Sequence, residues 1–350
     1  MTALNKQKCI ALAKKVNDYW QGEMPDSGIC AWERSAYMLG NLDAYEITQK
    51  ESYLSYALKW AQDNDWRFYN DAQYNTTNAD SILCGEAYLR LMKLIPGAGT
   101  EEHMLRTMEN FLADPKNDYW WWVDTIYMAL PLLHIMGVRH GDKRYFEKAH
   151  RLFTNTRTER RCYDEEEHLW YRDERFFPDK LLSKNGKKIF WSRGNGWVFA
   201  GIARTLEAIT EECEYYGEYK KIFCDMAERI APLIRPDGGF TTGLLDPDEF
   251  PLSETSGTAL FTLGFLIGVR IGVLDRTYLK TALRGFEWIT NNAVLENGRV
   301  GFVQGISWSP GKRWENYDYE TKKQNSMDYA VGVYLMILKE IIALDENTEE

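Results

Sequence analysis

The segment Asp142-Lys143-Arg144-Tyr145-Phe146-Glu147-Lys148-Ala149 carries the pattern that decides the fold. It begins with an aspartate, a residue that commonly caps the first turn of a helix. Tyr145 and Ala149 follow four residues apart, so they lie on one face of that helix. The same spacing recurs near three other predicted helix starts, at Tyr53 and Ala57, Tyr219 and Phe223, and Tyr278 and Ala282. The recurrence indicates a chain of similar helical units, with chance repetition of Tyr and Ala as the alternative.

Apolar residues recur with helical periodicity along most of the chain. Glycine and proline mark several helix ends, as at Pro96-Gly97 and Gly137. Twelve helices are predicted, near residues 3–20, 33–48, 51–65, 81–94, 101–113, 122–137, 142–156, 195–210, 217–234, 255–271, 276–292 and 326–344.

The spacing of the repeated tyrosines indicates how these helices are arranged. They are separated by 92, 74 and 59 residues, which is too irregular for an open solenoid of equal units. Six helical hairpins would each take about 58 of the 350 residues. We therefore predict an all-α fold, an (α/α)6 barrel of six hairpins with short β-ribbons in its loops, in one domain spanning residues 1–350.

Two stretches interrupt the helical pattern. Residues 165–191 are polar and aromatic and too long for an ordinary connection, which is typical of functional loops. Residues 293–325 contain a Gly-rich segment, Gly298 to Gly305, that predicts a short β-ribbon followed by a polar loop.

Charge and composition exclude several classes of function. The net charge is −10 and no basic run occurs, so neither nucleic acid nor an anionic membrane is an expected partner. The longest nearly apolar run, Ile126 to Val138, has thirteen residues, fewer than the roughly 20 of a membrane span. Six scattered cysteines predict reduced thiols, no zinc cluster and a cytoplasmic location, although a chain trimmed of a secretory signal would look the same. The pattern leaves the oligomeric state open.

An aspartate among aromatic residues is the first candidate for chemistry. Asp124 follows Trp120-Trp121-Trp122-Val123 and precedes an apolar helix. Burial there would raise the pKa of its carboxyl group, and a carboxylic acid that stays protonated near neutral pH can act as a general acid. The alternative is that Asp124 only caps the helix.

Two further helix starts carry charged side chains. Asp80 follows Asn75-Thr76-Thr77-Asn78 at one, and Arg193 lies between Trp191 and Trp197 at another. Helix starts can meet at one end of a ring of hairpins, and two acids, an arginine and aromatic rings suit an acidic sugar whose carboxylate the guanidinium binds. A structural ion pair is the alternative for Arg193, although the flanking Gly194 and Gly196 favour close approach of the backbone to another group.

Four motifs resemble glycoside hydrolase family 105, the unsaturated rhamnogalacturonyl hydrolases, which are related to the unsaturated glucuronyl hydrolases. They are W-x-D-T-x-x-M-A from Trp122, L-W-Y-R-D-E-R-F from Leu169, W-S-R-G-N-G-W from Trp191 and E-T-S-G-T-A from Glu254. The resemblance implies an (α/α)6 barrel that removes a terminal 4,5-unsaturated uronic acid from lyase-generated oligosaccharides, most of all those of rhamnogalacturonan type. It implies no metal and no organic cofactor.

The resemblance also implies residue roles. Asp124 would be the acid/base and Asp80 the second essential carboxylate. The residues expected to contact a small anionic oligosaccharide are Arg193, Trp197, Arg172, Trp122, Tyr171, Trp191, Thr255 and Ser256. Some family members use histidines where this chain has Ala113 and Asp114, or Arg172, so contacts to the second sugar are expected to differ.

The implied reaction is hydration of the C4=C5 double bond. Asp124 would protonate C4, water would add at C5, and the resulting hemiketal would open and expel the remaining sugar. The alternatives are another (α/α)6 enzyme, either an inverting glycosidase or a sugar epimerase, and a non-enzymatic helical scaffold that binds glycans. Few histidines lie in the motifs, which disfavours an epimerase.

Overall fold

The computed structural model describes residues 6–346, and most of them are helical. The α-helices are α1 Lys6–Glu23, α2 Trp32–Thr48, α3 Glu51–Asp63, α4 Ala79–Ile82, α5 Cys84–Leu94, α6 Glu102–Ala113, α7 Thr125–His140, α8 Lys143–Thr154, α9 Ser192–Ala208, α10 Tyr216–Ile230, α11 Thr255–Arg270, α12 Leu279–Trp288, α13 Tyr319–Gln324 and α14 Asp328–Glu346. Shorter turns of 3-10 or π type are Asn155–Glu159, Glu174–Phe176, Ala231–Leu233, Arg276–Tyr278 and Ile289–Ala293.

Each of the twelve predicted segments overlaps one of the longer helices, with ends that differ at several points by three residues or more, and only the short α4 and α13 lack a prediction of their own. Residues 3–5 of the first predicted helix lie outside the described residues. The repeated tyrosines fall at the starts of α3, α8 and α10 and in the 3-10 turn before α12. Their partners four residues later, Ala57, Ala149, Phe223 and Ala282, are all fully buried. The repeat therefore marks the buried faces of amphipathic helices.

The chain forms two compact units. The first contains residues 6–116, 296–299 and 327–346, and the second contains residues 117–295 and 300–326. In the first unit, α2 packs against α1, α3, α5 and α14. In the second, α9 packs against both α7 and α11, while α8, α10 and α12 pack against α7, α9 and α11 respectively. The second unit thus contains three helical hairpins, α7–α8, α9–α10 and α11–α12. The prediction of a single domain stays a prediction.

Two kinds of helix build these hairpins. In α9 the residues from Ser192 to Leu206 are all buried, and so are those from Thr255 to Val269 in α11. In α8 the buried residues are Tyr145, Lys148, Ala149, Leu152 and Phe153, which form one stripe. A helix that is apolar on all sides belongs in the interior, whereas a striped helix covers it.

Glycines allow the interior helices to approach closely. A Cβ atom at Gly40 of α2 would lie 2.0 Å from the carbonyl oxygen of Gly332 in α14. A Cβ atom at Gly201 of α9 would lie 2.9 Å from the backbone of Tyr127 in α7. A side chain at either position would force the two helices apart.

Four two-residue strands lie in the loops of the second unit. β1 Tyr163–Asp164 pairs antiparallel with β2 Leu169–Trp170, and β3 Phe240–Thr241 pairs antiparallel with β4 Ser253–Glu254. The β-ribbon predicted from Gly298 to Gly305 is wrong, since its one ladder contact is a bridge between Val294 and Val300. The segment instead bonds to the start of α11, where the Thr255 amide donates to the Phe302 carbonyl at 2.9 Å.

Among the described residues, no helix combines the length and apolarity needed to cross a membrane.

Candidate active site

Asp124 lies immediately before the first residue of α7, in the second unit. Its backbone carbonyl accepts hydrogen bonds from the amides of Tyr127 and Met128, at 3.1 and 3.3 Å. Its side chain makes no capping hydrogen bond. The carboxylate therefore stands at a helix start without the capping role that the sequence left open.

The nearest charged group to that carboxylate is the guanidinium of Arg172. Arg172 Nε lies 3.3 Å from Asp124 Oδ2, and the two side chains are 14% and 13% exposed. Neither atom has a hydrogen-bond partner, although both are buried. The segments that carry them are joined by the Val123 amide, which donates to the Arg172 carbonyl at 3.1 Å. Arg172 also lies over the half-exposed ring of Trp121, 5.3 Å from its centroid.

Burial raises the pKa of the Asp124 carboxyl group above its usual range. The positive charges of Arg172 and Arg193 and a backbone hydrogen bond oppose this effect, while the negative charge of Asp173 adds to it. The raised pKa of Asp124 agrees with the expectation from the sequence, because desolvation disfavours the charged form of a carboxyl group. Such a group can donate a proton at a pH where an exposed aspartate is ionised.

Asp173 follows Arg172 and is almost completely buried. Its Oδ2 accepts from Arg172 Nη1 at 2.7 Å and from Arg175 Nη2 at 2.8 Å, and its Oδ1 accepts from Arg175 Nε at 2.7 Å. Although burial alone would raise the pKa of Asp173, the hydrogen bonds from Arg175 and Arg172 lower it. Asp173 is therefore the carboxylate of this cluster that stays ionised.

Arg193 lies in the first turn of α9 and is almost fully buried. Its Nη1 donates to the Gln304 carbonyl at 2.7 Å and to Ser256 Oγ at 3.2 Å, and its Nη2 donates to the Gly305 carbonyl at 3.0 Å. Its guanidinium lies 4.5 Å from the centroid of the Trp191 ring. Arg193 thus fastens the segment around Gln304 to α9 and α11, and it lies close enough to lower the pKa of Asp124.

The glycines beside Arg193 serve helix packing. A Cβ atom at Gly196 would lie 2.7 Å from the Cβ atom of Leu260 in α11, and one at Gly194 would lie 2.9 Å from the Trp191 ring. The close approach expected from the sequence is therefore present, but its partners are protein side chains.

Gln304 and Glu254 are two buried residues that the sequence argument did not select. Gln304 Nε2 donates to the carbonyls of Ser309, Pro310 and Lys312, and its Oε1 accepts from Trp191 Nε1 at 2.8 Å. Glu254 caps α11 by accepting from the amides of Ser256 and Gly257, and it also accepts from the Gln304 amide at 2.8 Å. Glu254 begins one of the four sequence motifs, whereas no local sequence pattern around Gln304 predicts its hydrogen bonds.

The remaining predicted residues of the second unit lie in α9, in α11 and in the loops before α7 and after β2. Thr255 Oγ1 donates to the Gly301 carbonyl at 2.7 Å, and Trp197 packs 4.5 Å from the ring of Tyr127, one turn after Asp124. Tyr171 donates to Asp164 Oδ2 at 2.6 Å and stacks on Phe190. Trp122 packs beside Trp121, with 4.7 Å between ring centroids. All four side chains are buried, so their contacts with other parts of the protein are structural, and their contact with a substrate stays a prediction from the resemblance.

Asp80 lies in the first unit, in the first turn of α4. Its amide donates to Asn78 Oδ1 at 2.8 Å, and its side chain is half-buried. The loop before it is organised by the buried Asp71, whose Oδ1 accepts from the amides of Asn75 and Thr76. The role of Asp80 as a second essential carboxylate stays a prediction from the resemblance.

A cavity of about 620 Å³ adjoins the cluster, and its lining includes Trp121, Asp173 and Arg175. This volume lies within the usual range of small-molecule pockets. Asp124 is not one of the lining residues. Within residues 6–346, no group of three or more His, Cys, Asp or Glu side chains is arranged to hold a metal ion.

Comparison with known proteins identifies relatives along nearly the whole chain. A family model described as Glycosyl Hydrolase Family 88 matches residues 5–344. A protein of Formosa agariphila named unsaturated 3S-rhamnoglycuronyl hydrolase is 29% identical over 93% of this chain and 89% of its own.

Two solved structures are also similar. A family 88 glycosyl hydrolase from Bacteroides vulgatus is 30% identical, with a TM-score of 0.87 over 97% of this chain and 99% of its own. A structure described as a polysaccharide lyase is 32% identical, with a TM-score of 0.88 over 99% and 98%.

More distant structures show the fold. A heparin-specific unsaturated glucuronyl hydrolase is 16% identical with a TM-score of 0.64 over 90% of this chain and 86% of its own. A family 105 glycoside hydrolase from C. acetobutylicum is 19% identical with a TM-score of 0.72 over 94% and 99%. The chain therefore has the helical six-hairpin fold of the unsaturated uronyl hydrolases, which confirms the predicted fold class.

Proposed function

The chain belongs to Glycosyl Hydrolase Family 88, and from this premise we propose that it removes a terminal 4,5-unsaturated uronic acid from oligosaccharides produced by polysaccharide lyases. The observation that carries the proposal is the carboxyl group of Asp124, whose Oδ2 atom is buried, which makes no capping hydrogen bond and whose pKa is raised. A carboxyl group with a raised pKa keeps its proton to a higher pH than an exposed aspartate does, and protonation of a carbon–carbon double bond requires such a donor.

The reaction is hydration of an enol ether. Asp124 donates its proton to C4 of the C4=C5 bond, and positive charge develops at C5 and the ring oxygen. A water molecule adds at C5 and gives a hemiketal. The hemiketal opens, which releases the second sugar and leaves a 4-deoxy-5-keto-uronic acid. Because no displacement occurs at C1, the rule that relates carboxylate separation to stereochemistry does not apply.

The substrate carboxylate needs a cation near Asp124. Arg172 is partly exposed and lies against the ring of Trp121, whereas the Arg193 guanidinium donates to two backbone carbonyls and to Ser256. We therefore assign the contact with the substrate carboxylate to Arg172. Arg193 instead holds the backbone of Gln304 and Gly305 in place. A guanidinium suits this contact because it can bind both carboxylate oxygens at once.

The second sugar is a rhamnose in this proposal. The curated relative from Formosa agariphila is named unsaturated 3S-rhamnoglycuronyl hydrolase, and so is a relative from Alteromonas that is 27% identical over 89% of this chain. Two polysaccharides are compared as sources of rhamnose-linked unsaturated uronic acid. They are rhamnogalacturonan, which the sequence favours, and ulvan.

The purified protein is to be incubated with lyase-generated disaccharides from rhamnogalacturonan, ulvan and glycosaminoglycans. The proposal predicts loss of the ultraviolet absorbance of the conjugated double bond, fastest with a rhamnose-linked substrate. Saturated disaccharides of the same sequence serve as controls and should not be cleaved. A rise in absorbance with intact polysaccharide would reveal lyase activity instead, and cleavage of the saturated controls would indicate an inverting glycosidase.

A further inference from the structure

Arg172 lies between two carboxylates but hydrogen-bonds to only one of them. Its Nη1 donates to Asp173 Oδ2 at 2.7 Å. Its Nε lies 3.3 Å from Asp124 Oδ2, yet neither of these buried atoms has a hydrogen-bond partner. The guanidinium is therefore close to Asp124 without forming the charge-assisted hydrogen bond that such a pair usually makes.

Asp173 is held in place by hydrogen bonds from Arg175. Its side chain is 1% exposed, and Arg175 grips both of its oxygens, at 2.7 and 2.8 Å. Its Oδ1 also accepts from the Arg175 amide at 3.1 Å, which caps the 3-10 turn Glu174–Phe176. An aspartate fixed at three points gives Arg172 a fixed hydrogen-bond acceptor.

The charged groups that face Asp124 are Arg172 and Asp173 from the segment after β2, and Arg193 from α9. Arg193 is anchored to the carbonyls of Gln304 and Gly305. Arg172 is anchored through Asp173, so the strength of its contact with Asp124 depends on that one acceptor. A carboxylate in a full ion pair with arginine typically has its pKa lowered by about 1–3 units, which would leave Asp124 ionised.

We propose that Asp173 is a positioning residue, which by accepting a hydrogen bond from Arg172 prevents that guanidinium from closing onto Asp124 and so keeps Asp124 available as a proton donor. The inference rests on the proposed function for its consequence in turnover, but the arrangement itself involves no substrate. The four groups involved are Asp124, Arg172, Asp173 and Arg175, a set in which acidic and basic side chains alternate. Arg172 has two functions in it, since it binds the substrate carboxylate and must not neutralise the catalytic acid.

Asp173→Asn tests the proposal. The asparagine keeps an oxygen for the cap but loses the charge that holds Arg172, so Arg172 should turn to Asp124 and lower its pKa. Because the acid must be protonated to react, kcat/KM falls as pH rises through that pKa. The alkaline limb of the pH profile should therefore move to lower pH by about one unit, and kcat/KM on that limb should fall about tenfold.

A titration of the carboxyl group itself gives a readout that does not depend on substrate. Aspartates labelled with ¹³C at the carboxyl carbon are followed by NMR, and the signal missing in Asp124→Asn identifies Asp124. Its pKa should fall in Asp173→Asn and also in Asp173→Ser, which is neutral and can still cap the turn. Loss of the Asp173 charge lowers the Asp124 pKa directly as well, so each substitution is repeated in an Arg172→Gln background, where the fall should be smaller because only that direct effect remains. The control is Glu174→Gln, since the Glu174 side chain is 72% exposed and should leave the profile unchanged.

A folded Asp173→Asn or Asp173→Ser protein with an unshifted Asp124 pKa would overturn the inference, and so would a fall of the same size when Arg172 is replaced by glutamine. A loss of activity in which the pH profile keeps its position would also contradict it, because it would reduce Asp173 to a structural role. If the wild type is inactive on every unsaturated disaccharide, the proposed function fails while the NMR titration still decides the inference.

Discussion

At Asp124 two physical effects oppose each other. Burial raises the pKa of its carboxyl group, and two guanidinium groups lower it. The result depends on how closely each arginine approaches, because the attraction between charges grows as the distance falls and as water is excluded. The structure keeps both arginines hydrogen-bonded to other acceptors, so burial has the larger effect.

Asp124→Asn tests the assignment of the acid. The amide has the size of the carboxyl group but no proton of suitable acidity, so kcat should fall by about 10²–10⁴-fold while the thermal unfolding temperature stays close to that of the wild type. Steady-state kinetics on the best unsaturated disaccharide measures this. A folded variant that keeps more than a tenth of the wild-type kcat would remove Asp124 from the catalytic role.

Arg172→Lys and Arg193→Lys separate the two arginines. Lysine keeps the charge and loses the planar pair of donors. At Arg172 we expect kcat/KM to fall by the equivalent of about 1.5–3 kcal/mol, the usual value of a hydrogen bond to a charged group, with little change in stability. At Arg193 we expect a lower unfolding temperature as well, since three hydrogen bonds within the protein are disturbed. The reverse pattern would give the substrate carboxylate to Arg193.

At the scale of the element, the interior helices depend on backbone contacts that only glycine permits. Gly40→Ala would place a Cβ atom 2.0 Å from the Gly332 carbonyl oxygen, where no side chain can move aside. We expect a loss of about 1–3 kcal/mol or more in unfolding free energy, measured by denaturant titration. Gly22→Ala in α1 is the matched control, since no atom lies within 4 Å of its Cβ position and alanine favours helix. Equal stability of the two variants would contradict the described packing of α2 against α14.

The segment from Gln304 to Lys312 depends on one amide side chain. Gln304 Nε2 donates to three carbonyls of that segment, and Oε1 accepts from Trp191. Gln304→Leu should leave these carbonyls without a buried donor and loosen the segment. We expect KM to rise more than kcat falls, and amide hydrogen exchange to quicken within residues 305–312. Unchanged exchange in this segment would show that other contacts hold it.

The helices could be predicted from the sequence better than the hydrogen bonds that join distant segments. Helical periodicity located all twelve segments because an amphipathic or fully apolar helix repeats its pattern every few residues. Asp124 could be selected because aromatic residues flank it in the chain. The bonds of Arg193 to Gln304 and Gly305 join residues more than a hundred positions apart, and no local pattern records them. The ribbon predicted at Gly298 to Gly305 was wrong for the same reason, since the partners of that segment are distant in sequence.

At the scale of the whole molecule, the net charge of −10 opposes an anionic substrate at long range. Binding of the unsaturated uronic acid therefore depends on local cations, of which Arg172 stands beside the proposed acid. The double bond, rather than charge alone, then defines the substrate. The proposed function therefore depends on whether C4 of the sugar receives a proton and C5 receives water.

Turnover in heavy water and in ¹⁸O-labelled water tests this proposal most directly. If Asp124 protonates C4, the keto-uronic acid product carries one solvent deuteron at C4, because the carboxyl proton exchanges with solvent before the reaction. In ¹⁸O-labelled water the label should enter at C5, and the released sugar should keep its unlabelled glycosidic oxygen. Product that carries the ¹⁸O label at C1 and not at C5, together with cleavage of a saturated uronide, would contradict hydration and establish ordinary attack at C1.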